Sequence, residues 1–425
     1  MPDKVPTEEP MMTRQANGKL QNRNILISGA SAAGPSLAYW LHHYGFNPTV
    51  VERAPTLRAG GYAIDLRGTA VHAAERMGIL AAARKASTDL REVWFVDSKN
   101  EIVATMDANF GAGPGKAGDV ELLRDDLAQI LYAATKDNIN YIFGDSITSL
   151  VEHDQGVEVA FERGATRTFD LVVGADGSHS NVRGLGFGEE SRFSYYLGQH
   201  VAIFTIPNYL TLDRLWLMHY IPKKMGAIMQ YGSGKHTRAL MMFSSPKLAY
   251  DHRDVEQQKN IVSNVFAEER GWEFPRLLEE MRDASDFYFD DVSQIRMDRW
   301  SKGRIALVGD AACGPTLITG QGTSMAIVGA YVLAGELASA GGDYRSAFAR
   351  YEQECRSYME QNQQIALKAR EVRLPNTWEE IDQQNEMLRA MRAAPAGSPP
   401  EDSTGDIIQK AANAITLKDY SSQAV

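Results

Sequence analysis

Gly29, Ser31 and Gly34 stand in the run Gly29-Ala30-Ser31-Ala32-Ala33-Gly34, the spacing of a turn that can cradle a diphosphate. In such a G-x-G-x-x-G turn the first glycine permits the tight bend. The second lets the backbone approach the pyrophosphate, and the third lets helix and strand pack closely. Here the middle glycine is Ser31, whose hydroxyl can donate to a phosphate, while Ala30, Ala32 and Ala33 keep the rest of the turn small. Glu52 follows where an acid would take the ribose hydroxyls, and its charge repels a 2′-phosphate. The resident dinucleotide is therefore expected to be FAD or NAD rather than NADP.

These residues need a frame. "NILISGA" is a continuous apolar run of the kind found in a parallel strand covered on both faces. Ala33 to Tyr44 reads as a helix closed by Gly45, and "NPTVVER" as the next strand, giving a βαβ opening. Residues 119–137 read as an amphipathic helix. The segment "INYIFGD" and the pair "SITSLVEHD" and "GVEVAFE" read as strands. Two more glycine turns follow strands, at Asp176-Gly177 in "GADGSHSNVR" and at Gly309-Asp310 in "GRIALVGDAA".

The fold expected is α/β: a Rossmann-like dinucleotide domain assembled from discontinuous segments, with an inserted β-sheet domain and a long C-terminal helix. The divisions are a disordered leader over 1–22, the cofactor domain over 23–185 and 296–342, and the substrate-binding sheet over 186–295. A C-terminal helical segment follows over 343–392, with Asp343 as its cap, then a linker and short tail helix over 393–425. The tail helix carries Ile407, Ile408, Ala411, Ala412 and Ile415.

Composition excludes several classes. The net charge of −10 argues against broad nucleic-acid binding, which rests on Lys and Arg neutralising phosphates. Cys313 and Cys355 are the only cysteines, too few for a disulfide framework, which suits a reducing cytoplasm. His42-His43 is the one adjacent histidine pair, and without H-x-x-x-H or C-x-x-C spacing no metal site is expected. The N-terminus lacks the pattern of a secretory signal, and glycines interrupt the uncharged stretch after Asp310, so no membrane span is expected.

The three glycine turns in this order, with "WSKGR" before Gly309 and "GQGTS" after it, resemble the class A flavoprotein monooxygenases of the para-hydroxybenzoate hydroxylase fold. The resemblance runs from Asn24 to about Asn376. Within that family the chain is similar to the tetracycline-inactivating and polyketide-tailoring group, through "GASAAGP" and "GTSMAIVGAYVLAGEL". It implies tightly held, non-covalent FAD, transient NADPH and O2. The implied reaction is hydroxylation of an aromatic or polyketide-like small molecule, including an antibiotic such as a tetracycline, through a flavin C4a-hydroperoxide. Baeyer–Villiger oxygenation of a ketone stays open, as does a non-catalytic flavin- or ligand-binding role. A halogenase is disfavoured, because W-x-W-x-I-P is not met by "LWLMHYIP". The protein is expected to act as a monomer or homodimer.

By the same resemblance Glu52 is the ribose-binding acid and Arg53 an adenine-side contact. Arg124 is the helix-borne arginine that contacts FAD, and Gly60-Gly61 and Asp65 form a flavin-proximal turn and strand. Asp176 and Gly177 lie near FAD and the NADPH path, and Asp310 at the ribityl or pyrophosphate portion. Gly320, Gly322 and Thr323 open a helix whose N–H groups face the flavin pyrimidine, where a helix N-terminus stabilises the anionic reduced ring. Cys313 stands where relatives carry other residues, and a buried filler is the expectation. For the substrate, Met218, Tyr220, Met229 and Met241 are candidate pocket residues among the Met and aromatic residues of the inserted sheet. His219 and Arg238 are left without a role.

Overall fold

In the computed structural model, residues 20–57, 60–107, 118–232, 236–368, 374–393 and 404–423 are described. The leader expected over 1–22 thus lies almost wholly outside them, as does most of the linker before the tail helix.

The first sheet has six strands, ordered Ser301–Lys302, Ile305–Leu307, Leu171–Gly174, Asn24–Ser28, Asn47–Glu52 and Asn140–Phe143. All neighbours are parallel except Ser301–Lys302, which turns back on Ile305–Leu307. Chain order reverses on either side of Asn24–Ser28, and in an open α/β sheet the crevice at such a reversal is where ligands bind. The apolar runs seen in the sequence are these strands: Ile25, Leu26, Ile27, Val172, Val173 and Leu307 have no solvent exposure. Helices Ala33–His43 and Gly322–Ser339 pack against each other over this sheet, and Gly322–Ser339 is buried almost throughout.

The second sheet has seven strands: Tyr288–Ile295, Ser194–Ile206, His236–Ser244, Lys224–Tyr231, Leu215–Ile221, Glu92–Val96 and Ile102–Asp107. The last two come from the stretch assigned to the cofactor half, 23–185. Glu92–Val96 pairs in parallel with Leu215–Ile221 and carries the sheet onward. A second difference lies at 119–137. Val120–Leu123 is a strand paired antiparallel with Ala63–Leu66, and the helix begins only at Arg124, running Arg124–Thr135. The pairing is non-local and overrides a helical pattern that the apolar spacing alone suggests.

Asp343 accepts from Arg345 N at 3.2 Å and from Ser346 Oγ at 2.6 Å, starting the long helix Tyr344–Lys368. The tail helix Thr404–Ala412 packs Ile408 and Ala411 on Ile365 of that helix. Beyond it, the Tyr420 ring packs on Gly335, where an added Cβ would come within 2.2 Å of it. Its hydroxyl donates to Glu336 Oε1 at 2.7 Å, Lys418 Nζ reaches the same oxygen at 2.9 Å, and Glu336 is only 2% exposed. Tyr420→Ala is expected to open a void over Gly335 and strip a buried carboxylate of a donor. The loss should be about 3–4 kcal/mol, read as a lower urea midpoint. An unchanged midpoint would mean that the tail does not hold the helix.

Candidate functional site

The three glycine turns converge. Gly29 has φ +108°, and a Cβ there would lie 2.5 Å from the Ala175 carbonyl oxygen, in the second turn. A Cβ on Gly309, in the third turn, would lie 3.1 Å from the Ala33 Cβ. Within the first turn, a Cβ on Gly34 would sit 1.9 Å from the Gly29 carbonyl oxygen, so strand end and helix start touch as the motif requires. The helix Ala33–His43 starts at Ala32 with no side-chain cap and no acid in its first turn. Its opening N–H groups and dipole are thereby suited to an anion. Ser31 is exposed at this opening and Ala33 is buried. Glu52 takes Ala30 N on one oxygen and Ala54 N on the other, both at 2.9 Å, which ties the second strand's acid to the turn. Arg53 is exposed beside it.

Asp176 is engaged inside the fold. It accepts from Ser28 Oγ and Val182 N, each at 3.1 Å, and from Ser180 Oγ. Desolvation holds its carboxyl above the usual range against these donors. It braces the first turn against the second and anchors Ser180, the cap of helix Asn181–Phe187.

The other expected residues assemble around the start of helix Gly322–Ser339, which also lacks a side-chain cap. Ser324 Oγ donates to the Asp65 carbonyl at 2.9 Å and accepts from Arg67 N at 3.0 Å, pinning that helix start to strand Ala63–Leu66. Asp65 pairs with Arg67 at 3.0 Å and sits against Gly320, where a Cβ would be 2.8 Å from its Oδ2. A Cβ on Gly322 would be 3.3 Å from Asp310 Oδ1, and Thr323 is half-buried next to it. Gly61, with φ +131°, lies along Arg124, where a Cβ would be 3.1 Å from Nε.

Around this point buried polar atoms are orphaned. Asp310 Oδ1, both amide atoms of Gln321 and Thr316 Oγ1 are occluded and have no hydrogen-bond partner in the protein. Buried polar groups are nearly always paired, so a cluster of exceptions marks a place for a polar ligand. Burial pushes the Asp310 carboxyl up to about 6. A flavin, with hydroxyls along its ribityl chain and alternating donors and acceptors on its pyrimidine, offers partners to an acid, an amide and a hydroxyl together. The residues present fit such a group. Gln321 is a residue that sequence reasoning missed, although it lies between the two glycines it singled out.

The seven-stranded sheet turns one face toward these segments. Met225, Met229, Tyr231 and Met242 share an apolar cluster with Leu317 and Ile318, and half-buried Trp216, Met218 and Tyr220 join it. Helix Trp378–Ala393 closes the outer end through Leu388, against Met218 and Tyr220. Met241 does not belong to this face. Strand alternation turns it to the opposite side, where it is buried with Phe243 against helices Val255–Val265 and Phe274–Asp283, and Met242 takes the position expected for it. His219 is on that opposite side too, with Nδ1 2.9 Å from the Val96 carbonyl and its ring against Trp272. Arg238 is on the near face and 2% exposed, and its Nε donates to the Gly61 carbonyl at 2.8 Å. A cavity of about 400 Å³ opens there, lined by Gly61, Tyr62, Arg124, Arg238 and Tyr288 among others. Cys313 is buried and burial pushes its thiol up to about 12, which leaves it inert.

The family described as FAD binding domain matches residues 22–366. A Mycobacterium tuberculosis protein named only as uncharacterized is 48% identical over 344 residues, 80% of this chain and 92% of that one. A flavin-dependent monooxygenase from an unknown prokaryotic organism is 39% identical over 401 residues, 94% of this chain and 99% of that one. The crystal structure of the tetracycline destructase Tet(55) superposes with a TM-score of 0.79 at 38% identity, covering 94% of this chain and 99% of that chain.

Proposed function

We propose, from the premise that this chain belongs to the FAD binding domain family and is an FAD-dependent monooxygenase, that it draws electrons from NADPH and hydroxylates an aromatic or polyketide-like small molecule. One observation carries the substrate side of this reading. The Met- and aromatic-lined face of the seven-stranded sheet packs with Leu317 and Ile318, directly before the Gly320-Gln321-Gly322 turn and its orphaned polar atoms. A flat apolar ring seated on that face lies next to the cofactor end of the chain. Pockets of this kind, mostly apolar with a few placed polar groups, suit such ligands.

In this reading Gly29, Ser31, Ala33 and Gly34 present the helix N–H groups to the diphosphate, with Glu52 and Arg53 on the adenosine side. Gly61, Asp65 and Arg124 line the approach to the flavin, while Asp176 keeps the first two turns in register. Asp310, Gln321, Gly320, Gly322 and Thr323 receive the ribityl chain and the pyrimidine edge. The uncapped start of helix Gly322–Ser339 stabilises negative charge gathered there. Bound FAD supplies the redox and oxygen-activating chemistry, and the protein binds, orients and excludes water. Met218, Tyr220, Met229 and Met242 hold the substrate plane. Among the described residues no helix is long and apolar enough to cross a membrane.

The test is anaerobic mixing with NADPH, following flavin absorbance with and without polycyclic phenols and tetracyclines. The first compounds to try are tetracyclines, since a solved relative is a tetracycline destructase. One compound should accelerate bleaching and, on admitting oxygen, gain a single oxygen atom by mass. Flavin that NADPH never bleaches with any of them would refute the reading.

A further inference from the structure

Three separate stretches of chain bring two imidazoles and a carboxylate together outside the residues assigned above. His179 follows the Asp176-Gly177 turn, His252 precedes helix Val255–Val265, and Asp290 lies on strand Tyr288–Ile295. One ligand-type atom from each lies within 4.8 Å of the others. His179 Nε2 is 3.0 Å from Asp290 Oδ1 and 3.1 Å from Oδ2, and the two histidine rings are 4.1 Å apart between centroids. Asp290 is 5% exposed and fixed from behind by Tyr288 Oη at 2.8 Å.

The surroundings of His179 are ordered. Its Nδ1 faces Glu190 Oε1 at 2.9 Å, and the other oxygen of Glu190 is held at 2.9 Å by Arg183, which has no solvent exposure. Carboxylates face both ring nitrogens, so without an ion the ring is held protonated. Once an ion replaces the proton on Nε2, Glu190 on Nδ1 fixes the tautomer and aims Nε2, the usual outer-shell arrangement for a metal-bound histidine.

We propose that His179 Nε2, His252 and Asp290 form a binding site for a zinc-type divalent ion, with Glu190 orienting His179 and water completing the coordination. Two nitrogen donors select an imidazole-preferring transition ion over magnesium or calcium, which favour oxygen ligands. Ion binding displaces the proton shared by His179 and Asp290 to solvent. The ion joins the turn that follows strand Leu171–Gly174 to the seven-stranded sheet, so it acts as a staple between the two sheets. Short-range spacing gives no sign of it, because the ligands come from distant parts of the chain.

The flavin-loaded protein, stripped with a chelator, is titrated with Zn2+ against a chromophoric zinc indicator. The expected result is one equivalent of zinc held at least about 100-fold tighter than by His252→Ala, with Glu190→Gln weakened about tenfold. Zinc should raise the Tm of the wild type and not of His252→Ala. His252 is exposed, and its loss leaves the His179–Asp290–Tyr288 bonds in place, so this variant keeps the fold. A His43→Ala control should bind as the wild type does. Zinc uptake equal in wild type and His252→Ala, or absent from both, overturns the site and leaves the cluster as an ion pair.

Discussion

Asp310→Asn is expected to bind FAD about 10–100-fold more weakly than the wild type, yet its flavin-free form should be the more stable protein at pH 8. The first half follows from the carboxylate's position: Oδ1 is occluded and unpartnered in the protein. In the proposed site a flavin hydroxyl donates to that oxygen; such a charge-assisted bond contributes about 1.5–3 kcal/mol, and losing it should weaken binding about 10–100-fold.

The second half is linkage. Desolvation raises the Asp310 carboxyl from 3.8 to about 6 in the folded state. Between those values the native state binds more protons than the unfolded chain, so stability falls as pH rises. This group's contribution is fully present below about pH 4 and is gone once pH passes the folded pKa. The residue keeps partial solvent contact although its Oδ1 has none, so the ionised carboxyl costs on the order of 2 kcal/mol at pH 8. Urea unfolding of flavin-free wild type and variant at pH 5 and pH 8 reads the difference, and flavin fluorescence on dilution reads the affinity. Full occupancy in the variant, or equal pH slopes, removes Asp310 from its assigned place.

Gly34→Ala is the harsher substitution. The added Cβ meets the Gly29 carbonyl oxygen at 1.9 Å, and that oxygen belongs to backbone already fixed from the other side by Ala175. Neither can yield without parting the strand Asn24–Ser28 from the helix Ala33–His43. Overpacking of this kind costs about 3 kcal/mol, and the displaced helix start no longer presents its N–H groups to the diphosphate. The variant should therefore be isolated without flavin and with a lowered urea midpoint. Ala33→Gly, next to it, should keep its flavin, which separates the clash from any general sensitivity of the turn. Yellow, fully loaded Gly34→Ala protein is the result that refutes the argument.

The first turn was legible because its geometry is local. Gly29, Gly34 and Glu52 act through contacts within one βαβ unit, and the glycine spacing encodes them directly. What escaped is non-local. Glu92–Val96 and Ile102–Asp107 are short, largely apolar runs, and nothing within them states which of two sheets they will join. Val120–Leu123 reads as the first turn of a helix until Ala63–Leu66 pairs with it. Met241 and Met242 are indistinguishable by composition, and a one-residue difference in strand phase sends one to each face. Arg238 shows no role in the sequence because its partners, the Gly61 carbonyl and the Thr205 hydroxyl, come from distant parts of the chain.

The seat of Tyr420 on Gly335 sets an order of events during synthesis. Helix Gly322–Ser339 leaves the ribosome well before the residues that cover its back. At about 5–20 residues per second, several seconds pass in which Gly335 is bare and Glu336 lacks both Tyr420 and Lys418. Through that interval the nascent chain carries an apolar helix with one patch of its surface uncovered, the kind of exposure at which chaperones hold a chain and misassembly begins. The helix that opens at Gly322 is therefore braced at Gly335 and Glu336 only late in the life of the chain, once Lys418 and Tyr420 have been made.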